Sequence, residues 1–162
     1  MSETLFNIVR SNDRVSPTAA LYVEVIADFV CPFSFLGKRR LDEALKAVAG
    51  PVNVGWYPFQ LNPEIPPEGQ AFDDYLTRRF GSRDAIDPVL EELTREGERQ
   101  GIRFAFDRIQ HVPNTLPAHQ VMQHAETLGK DQTELAEALM VAFFEDGRDI
   151  GERDVLTEVA AR

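Results

Sequence analysis

The feature that most constrains the fold is a hydrophobic period that changes twice early in the chain. Residues 21–30 are rich in β-branched and aromatic side chains, which predicts a central strand covered on both faces. Apolar residues then recur at helical spacing until Gly50-Pro51, an order typical of a helix end. The alternation over 52–57 predicts a second strand that stops at Pro58. Strand, helix and strand over this length predict a βαβ unit with parallel strands.

After this unit the apolar spacing is helical for the rest of the chain. Three glycines are expected to close helices: Gly81, Gly101 and Gly147. Pro88 lies either near the start of one helix or at a kink in it. A last helix is expected to begin near Glu152 and to be still running at Arg162.

Charge and composition narrow the classes of function. The chain has 162 residues and a formal net charge of −10, which argues against nucleic acid or an anionic membrane as a general partner. No stretch is long and apolar enough to span a bilayer, and the first 20 residues lack the pattern of a secretory signal. A single cysteine cannot form an internal disulfide. Together these features favour a cytoplasmic protein in a reducing compartment.

Cys31 is the candidate nucleophile, because it lies between the end of a predicted strand and the start of a helix. Backbone N–H groups and the helix dipole favour an anion there, and the thiolate is the reactive form of cysteine. Pro32 sets the first turn of the helix without needing a donor. Asp28 either tunes the thiol or accepts its proton, or it is simply a polar residue at a strand end. Most lone cysteines are small buried hydrophobes, but this context favours a catalytic interpretation.

Four separated motifs carry a family resemblance. In chain order they are Asp28-Phe-Val-Cys-Pro-Phe-Ser-Phe-Leu-Gly-Lys-Arg-Arg-Leu41, Trp56-Tyr-Pro-Phe-Gln-Leu-Asn-Pro63, Asn114-Thr-Leu-Pro-Ala-His119 and Glu145-Asp-Gly-Arg-Asp-Ile150. Together they resemble the FrnE-like branch of the DsbA-like thioredoxin-fold family, from about residue 21 onward. The resemblance implies an α/β, thioredoxin-like fold with an inserted all-helical domain, and thiol–disulfide chemistry at Cys31. Related 2-hydroxychromene-2-carboxylate isomerases and kappa-class glutathione transferases share this architecture and bind glutathione at the same junction.

The resemblance also suggests a division of the chain. The predicted parts are an N-terminal leader at 1–20, the thioredoxin-like βαβ unit with the active-site motif at 21–60, the inserted helical domain at 61–150 and the start of a return helix at 151–162. The leader holds at most one short strand, around Leu5 to Val9. The family pattern continues with a cis-proline loop and further strands, so we expect the C-terminal strands of the fold to be absent from this chain.

Ser34 departs from the family, which usually carries Cys-Pro-x-Cys. A serine cannot resolve a mixed disulfide, although its hydroxyl can donate a hydrogen bond to the thiolate. The leading hypothesis is therefore a thiol–disulfide oxidoreductase with Cys31 as its single nucleophile and Ser34 supporting the thiolate. One alternative is a glutathione-dependent isomerase or transferase, and another is a non-catalytic binding module. A further alternative is that Ser34 only caps the helix.

The remaining site candidates surround this motif. Phe33 is expected to support the site, either as cleft wall or as core. The resemblance offers four candidates for substrate binding: Phe59, Asn62, Asn114 and Thr115. Trp56 and Phe59 are interpreted in the first place as core, and Asn114 and Thr115 most simply as helix caps.

The expected partner is glutathione, as a co-substrate, or a protein thiol. No covalently bound cofactor and no metal site is expected, and a homo-oligomer remains open. Three histidines are not at ligand spacing on one helix face and are expected to be solvated or structural: His111, His119 and His124.

Overall fold

The structure, a computed structural model, describes residues 21–161 except for the side chain of Arg83. The predicted leader, with its short strand around Leu5 to Val9, lies outside the described residues. The strands are β1 (Leu21–Ala27), β2 (Val52–Pro58), β3 (Gln70–Ala71) and β4 (His111–Val112). The helices are α1 (Pro32–Lys46), α2 (Phe72–Phe80), α3 (Arg83–Arg99), α4 (Leu116–Thr127), α5 (Gln132–Phe144) and α6 (Arg153–Ala160).

The first three elements form the predicted βαβ unit. β1 and β2 pair in parallel, with Leu21 opposite Val52 and Ala27 opposite Pro58. Helix α1 connects them and begins directly after Cys31, with a proline at its first position. The predicted α/β class is thereby confirmed.

The β1–β2 sheet is buried on one face only. Trp56 is buried against the core, whereas Tyr22, Ile26 and Tyr57 on the opposite face are 74%, 69% and 50% exposed. Ile26 and Tyr57 are direct partners across the two strands. The expectation that β1 is covered on both faces is therefore wrong for residues 21–161, because nothing in this part of the chain covers these outer side chains.

One hydrophobic core joins the βαβ unit to the helices. Phe35 of α1 is fully buried, and its ring lies 6.0 Å from that of Phe104 and 6.1 Å from that of Phe144 in α5. The Trp56 indole N–H donates to Thr133 Oγ1, also in α5, at 3.2 Å. Because the core is continuous across residue 60, the proposed division into domains stays a prediction.

The ends of the helices follow the glycines. Gly81 is the C-cap of α2 with a φ of 90°, and Gly101 and Gly147 adopt positive φ just beyond α3 and α5. Pro88 lies inside α3. Helix α6 ends at Ala160, and Ala161 is its C-cap. The expectation that this helix is still running at Arg162 is therefore wrong.

A short antiparallel ladder links two loops of the helical part. Gln70 pairs with Val112, and Ala71 pairs with His111. Gly69 makes this possible, because its φ is 76° and a Cβ there would lie 3.0 Å from the Val112 carbonyl oxygen. The ladder holds the loop after β2 beside the start of α4. Within residues 21–161, no helix combines the length and the apolar character needed to cross a membrane.

Candidate active site

Cys31 lies at the N-cap of α1, at the carboxyl end of the β1–β2 pair. Its carbonyl accepts the N–H groups of Ser34 at 3.0 Å and Phe35 at 3.4 Å, which closes the first turn of the helix. Cys31 is a free cysteine, and the residue is half-buried. Cys31 thus lies at the positive end of the α1 dipole. The structure thus places Cys31 where the sequence predicts it.

The neighbours of Cys31 on α1 differ in exposure. Pro32 opens the helix, Phe33 is 67% exposed, and Ser34 is half-buried in the first turn. In the described part of the chain, the Cys31 side chain makes no capping hydrogen bond and none joins it to the Ser34 hydroxyl. Support of the thiolate by Ser34 therefore stays a prediction.

Asp28 holds the turn between β1 and α1. Its side chain is only 1% exposed, and its Oδ1 accepts the N–H of Phe29 at 2.8 Å. Its Oδ2 accepts the N–H of Leu61 at 2.6 Å, and its carbonyl accepts the N–H of Cys31 at 3.3 Å. These bonds provide the donors that a buried carboxylate requires, and they tie the Cys31 turn to the segment after β2. A part in proton transfer stays a prediction.

Lys38, Arg39 and Arg40 of α1 are paired with carboxylates of other helices. The Lys38 ammonium lies 2.7 Å from Glu137 of α5, and Arg39 lies 2.5 Å from the same carboxylate. Arg40 lies 2.6 Å from Glu96 of α3. These cations therefore contribute to the docking of α1, and each shares its charge with a carboxylate.

The two candidates after β2 lie in different environments. Phe59 donates its N–H to the Ala27 carbonyl at 3.2 Å, yet its side chain is 52% exposed. Its interpretation as core is therefore wrong, because it lies just beyond the strand on an open surface. Asn62 is 5% exposed, and its Nδ2 lies 3.4 Å from the Tyr75 hydroxyl.

Asn114 fastens the loop after β2 to the start of α4. Its Oδ1 accepts the Gln60 side-chain amide at 2.9 Å and the Leu116 N–H at 3.0 Å, and its Nδ2 donates to the Ile65 carbonyl at 2.7 Å. Thr115 is 3% exposed and is the N-cap of α4, but its side chain makes no capping hydrogen bond. The capping interpretation therefore holds for the Asn114 side chain, and contact of either residue with substrate stays a prediction.

His119 lies beside Asp28, although its sequence pattern predicts only a solvated or structural histidine. It is 4% exposed in the first turn of α4, and its Nε2 lies 3.3 Å from Asp28 Oδ1. Its ring packs against Phe29 with 4.7 Å between centroids. The sequence feature that points to His119 is its place at the end of the motif that begins at Asn114. The spacing between histidines indicates only whether they could bind a metal together. In the described residues, no group of three or more His, Cys, Asp and Glu side chains is placed to hold a metal ion.

Comparisons with known proteins agree with this architecture. The chain is 30% identical over 140 residues to the uncharacterized protein YwbO of Bacillus subtilis, covering 86% of this chain and 64% of that protein. Its structure is similar to a probable DsbA oxidoreductase, SCO1869 of Streptomyces coelicolor, with 25% identity and a TM-score of 0.77 over 87% of this chain and 62% of that one. It also shares the fold of the cytosolic disulfide reductase DsbM of Pseudomonas aeruginosa, at 20% identity, a TM-score of 0.60 and coverage of 87% and 63%; DsbM has also been solved with GSH.

This chain spans less than two thirds of the length of each of these relatives. The family model described as DSBA-like thioredoxin domain matches residues 22–162, which include the whole active-site motif. With that match and the parallel βαβ unit that carries Cys31, the protein belongs to the DSBA-like thioredoxin domain family.

Proposed function

We propose that the protein is a thiol–disulfide oxidoreductase in which Cys31 is the single nucleophile and glutathione is the co-substrate. The observation that carries the proposal is the half-buried, free Cys31 at the N-cap of α1. Family membership and the likeness to a probable DsbA oxidoreductase support disulfide chemistry. The structure of DsbM with GSH supports glutathione as the small thiol. DsbM is a cytosolic disulfide reductase, which supports a reducing cytoplasmic location.

The reaction needs one protein thiol and one external thiol. The Cys31 thiolate attacks the glutathione sulfur of a glutathione mixed disulfide, and the other sulfur leaves as a thiolate that takes a proton from water. A second glutathione thiolate then attacks the glutathione sulfur bound to Cys31. This step forms oxidised glutathione and returns Cys31 as a thiolate, so the two electrons come from glutathione.

Two exposed aromatic rings lie at the same end of the sheet as Cys31. Phe33 follows the nucleophile in α1, and Phe59 follows β2 where Ala27 and Pro58 end the ladder. The carboxyl ends of parallel strands share one edge, so both rings belong to the surface that an incoming disulfide approaches. We assign them to substrate contact. Asn62 and Asn114 support this surface by holding the loop after β2 in place.

The test is the formation and release of a glutathione adduct. Intact-mass spectrometry after incubation with oxidised glutathione should show one adduct on the native protein, and none on Cys31→Ser. Reduced glutathione should then remove it, and the native protein should form it faster than the same chain in denaturant. An adduct that forms no faster on the native protein would refute the proposal. Glutathione-dependent conversion of 2-hydroxychromene-2-carboxylate without disulfide exchange would instead support the isomerase alternative.

A further inference from the structure

We propose that His119 is a positioning residue for Cys31 and that it acts through Asp28. The inference rests on the proposed function only in taking Cys31 as the reactive group. It concerns a histidine on α4, an element far along the chain from the cysteine that it would influence.

A continuous set of contacts joins the two residues. The Cys31 N–H donates to the Asp28 carbonyl, and the Asp28 carboxylate binds the N–H groups of Phe29 and Leu61. His119 Nε2 approaches the same carboxylate at 3.3 Å, and its ring packs on Phe29 within the same turn. His119 therefore contacts both Asp28 and Phe29, the two residues of the turn before Cys31 and α1.

Burial makes this contact significant. The side chains of Asp28 and His119 are 1% and 5% exposed, so water does not screen the carboxylate. His119 Nε2 makes no aligned hydrogen bond in the described structure, although it is fully buried. A buried polar nitrogen without a partner is costly, and a small rotation of the ring would turn Nε2–H towards Asp28 Oδ1. The imidazole is thus placed to donate to the carboxylate and to offset its charge.

The effect on Cys31 follows from this charge. Without the imidazole donor, the Asp28 carboxylate would disfavour a second negative charge at the nearby thiol of Cys31. The Asp28 side chain would also be freer to move out of the turn. Both changes reduce the thiolate character of Cys31, so removal of His119 should slow its reaction with an electrophile.

The experiment measures the rate of Cys31 alkylation by iodoacetamide, a neutral reagent, in the native protein at neutral pH. His119→Leu keeps an apolar side chain of moderate size but removes the donor, and His119→Gln keeps an N–H donor. His124→Leu is the matched control, since His124 lies on the same helix and is exposed. We expect His119→Leu to react at least about threefold more slowly, and His119→Gln and His124→Leu to stay within about twofold of the native rate. Should His119→Leu fail to fold, His119→Asn, whose amide is too short to reach Asp28, takes its place.

Equal losses in His119→Leu and His119→Gln would overturn the proposal, since packing and not the donor would then matter. An unchanged rate in folded His119→Leu would overturn it too. In an Asp28→Asn background, removal of His119 should have no further effect, and a full effect there would refute the route through Asp28. Alkylation uses no glutathione, so this result is independent of whether the protein exchanges disulfides.

Discussion

Gly97 of α3 and Phe104 lie so close that a Cβ on Gly97 would be 2.5 Å from the Cδ2 atom of Phe104. Phe104 is buried and packs against Phe144, so its ring has little room to move. We expect Gly97→Ala to lower the free energy of unfolding by about 1–2 kcal/mol, even after the gain of about 1 kcal/mol that alanine brings to a helix. Gly37→Ala in α1, where the Cβ meets nothing within 4 Å, should be neutral or stabilising. Urea denaturation measures both, and equal effects at the two positions would contradict the prediction.

Phe35 and Phe33 provide a matched test of the core and the proposed contact surface. Phe35 is fully buried, and Phe33, two residues earlier on the same helix, is 67% exposed. We expect Phe35→Ala to cost about 3–5 kcal/mol of stability, because it leaves a cavity between α1 and α5. Phe33→Ala should change the free energy of unfolding by less than about 0.5 kcal/mol and should slow exchange with a glutathione mixed disulfide. Unchanged exchange in Phe33→Ala would remove this ring from the contact surface.

Ser34→Cys should convert a persistent adduct into a transient one. The Ser34 N–H donates to the Cys31 carbonyl at 3.0 Å, so both side chains belong to the first turn of α1. A cysteine at position 34 can attack the mixed disulfide and close an internal one, whereas the native serine cannot. Mass spectrometry should show Ser34→Cys free of glutathione and two hydrogens lighter than its reduced form. Ser34→Ala should retain the adduct, and an adduct equally transient in all three proteins would contradict the argument.

Glu96 should give the protein a distinct sensitivity to acid. Hydrogen bonds from Arg99, Arg40 and Gln100 lower the pKa of Glu96 from 4.5 to about 2. Because the folded-state value is the lower one, this carboxylate stabilises the fold fully above the ordinary glutamate pKa, and the contribution is lost as the pH falls towards about 2. Denaturation midpoints of Glu96→Gln should therefore change less than those of the native protein between pH 4.5 and about 2.

The control for this experiment is Glu98→Gln, an exposed neighbour on the same helix. It should follow the native protein through the whole acid range. If Glu96→Gln loses stability as steeply as the native protein, the ion pairs of Glu96 do not contribute in solution.

Local chemistry is sufficient to predict the part of the fold that carries Cys31. Cys31-Pro32 marks the start of α1, and the two hydrophobic periods identify the flanking strands. The helix end expected at Gly50-Pro51 is wrong, because α1 ends at Lys46 with Ala47 as its C-cap. By contrast, β3 and β4 have two residues each, too few for any alternation to show. They form because the backbone at Gly69 can approach Val112.

In the candidate site, too, some features follow from neighbours in sequence and others depend on tertiary packing. The position of Cys31 and the first turn of α1 follow from residue order, since they depend on neighbours in sequence. The contact of His119 with Asp28 depends on how α4 docks against the end of β1, which no local pattern encodes. The exposure of Phe59 is likewise set by packing, because an aromatic residue just after a strand fits a core equally well.

The face of β1 that residues 21–161 leave exposed has a consequence for behaviour at high concentration. Glu24 lies between Tyr22 and Ile26 on that face and is itself exposed. Two copies that stacked these apolar side chains together would have to bury two like-charged carboxylates, which is costly. We therefore expect Glu24 to oppose such stacking, because without it the exposed face of β1 in residues 21–161 would carry only apolar side chains.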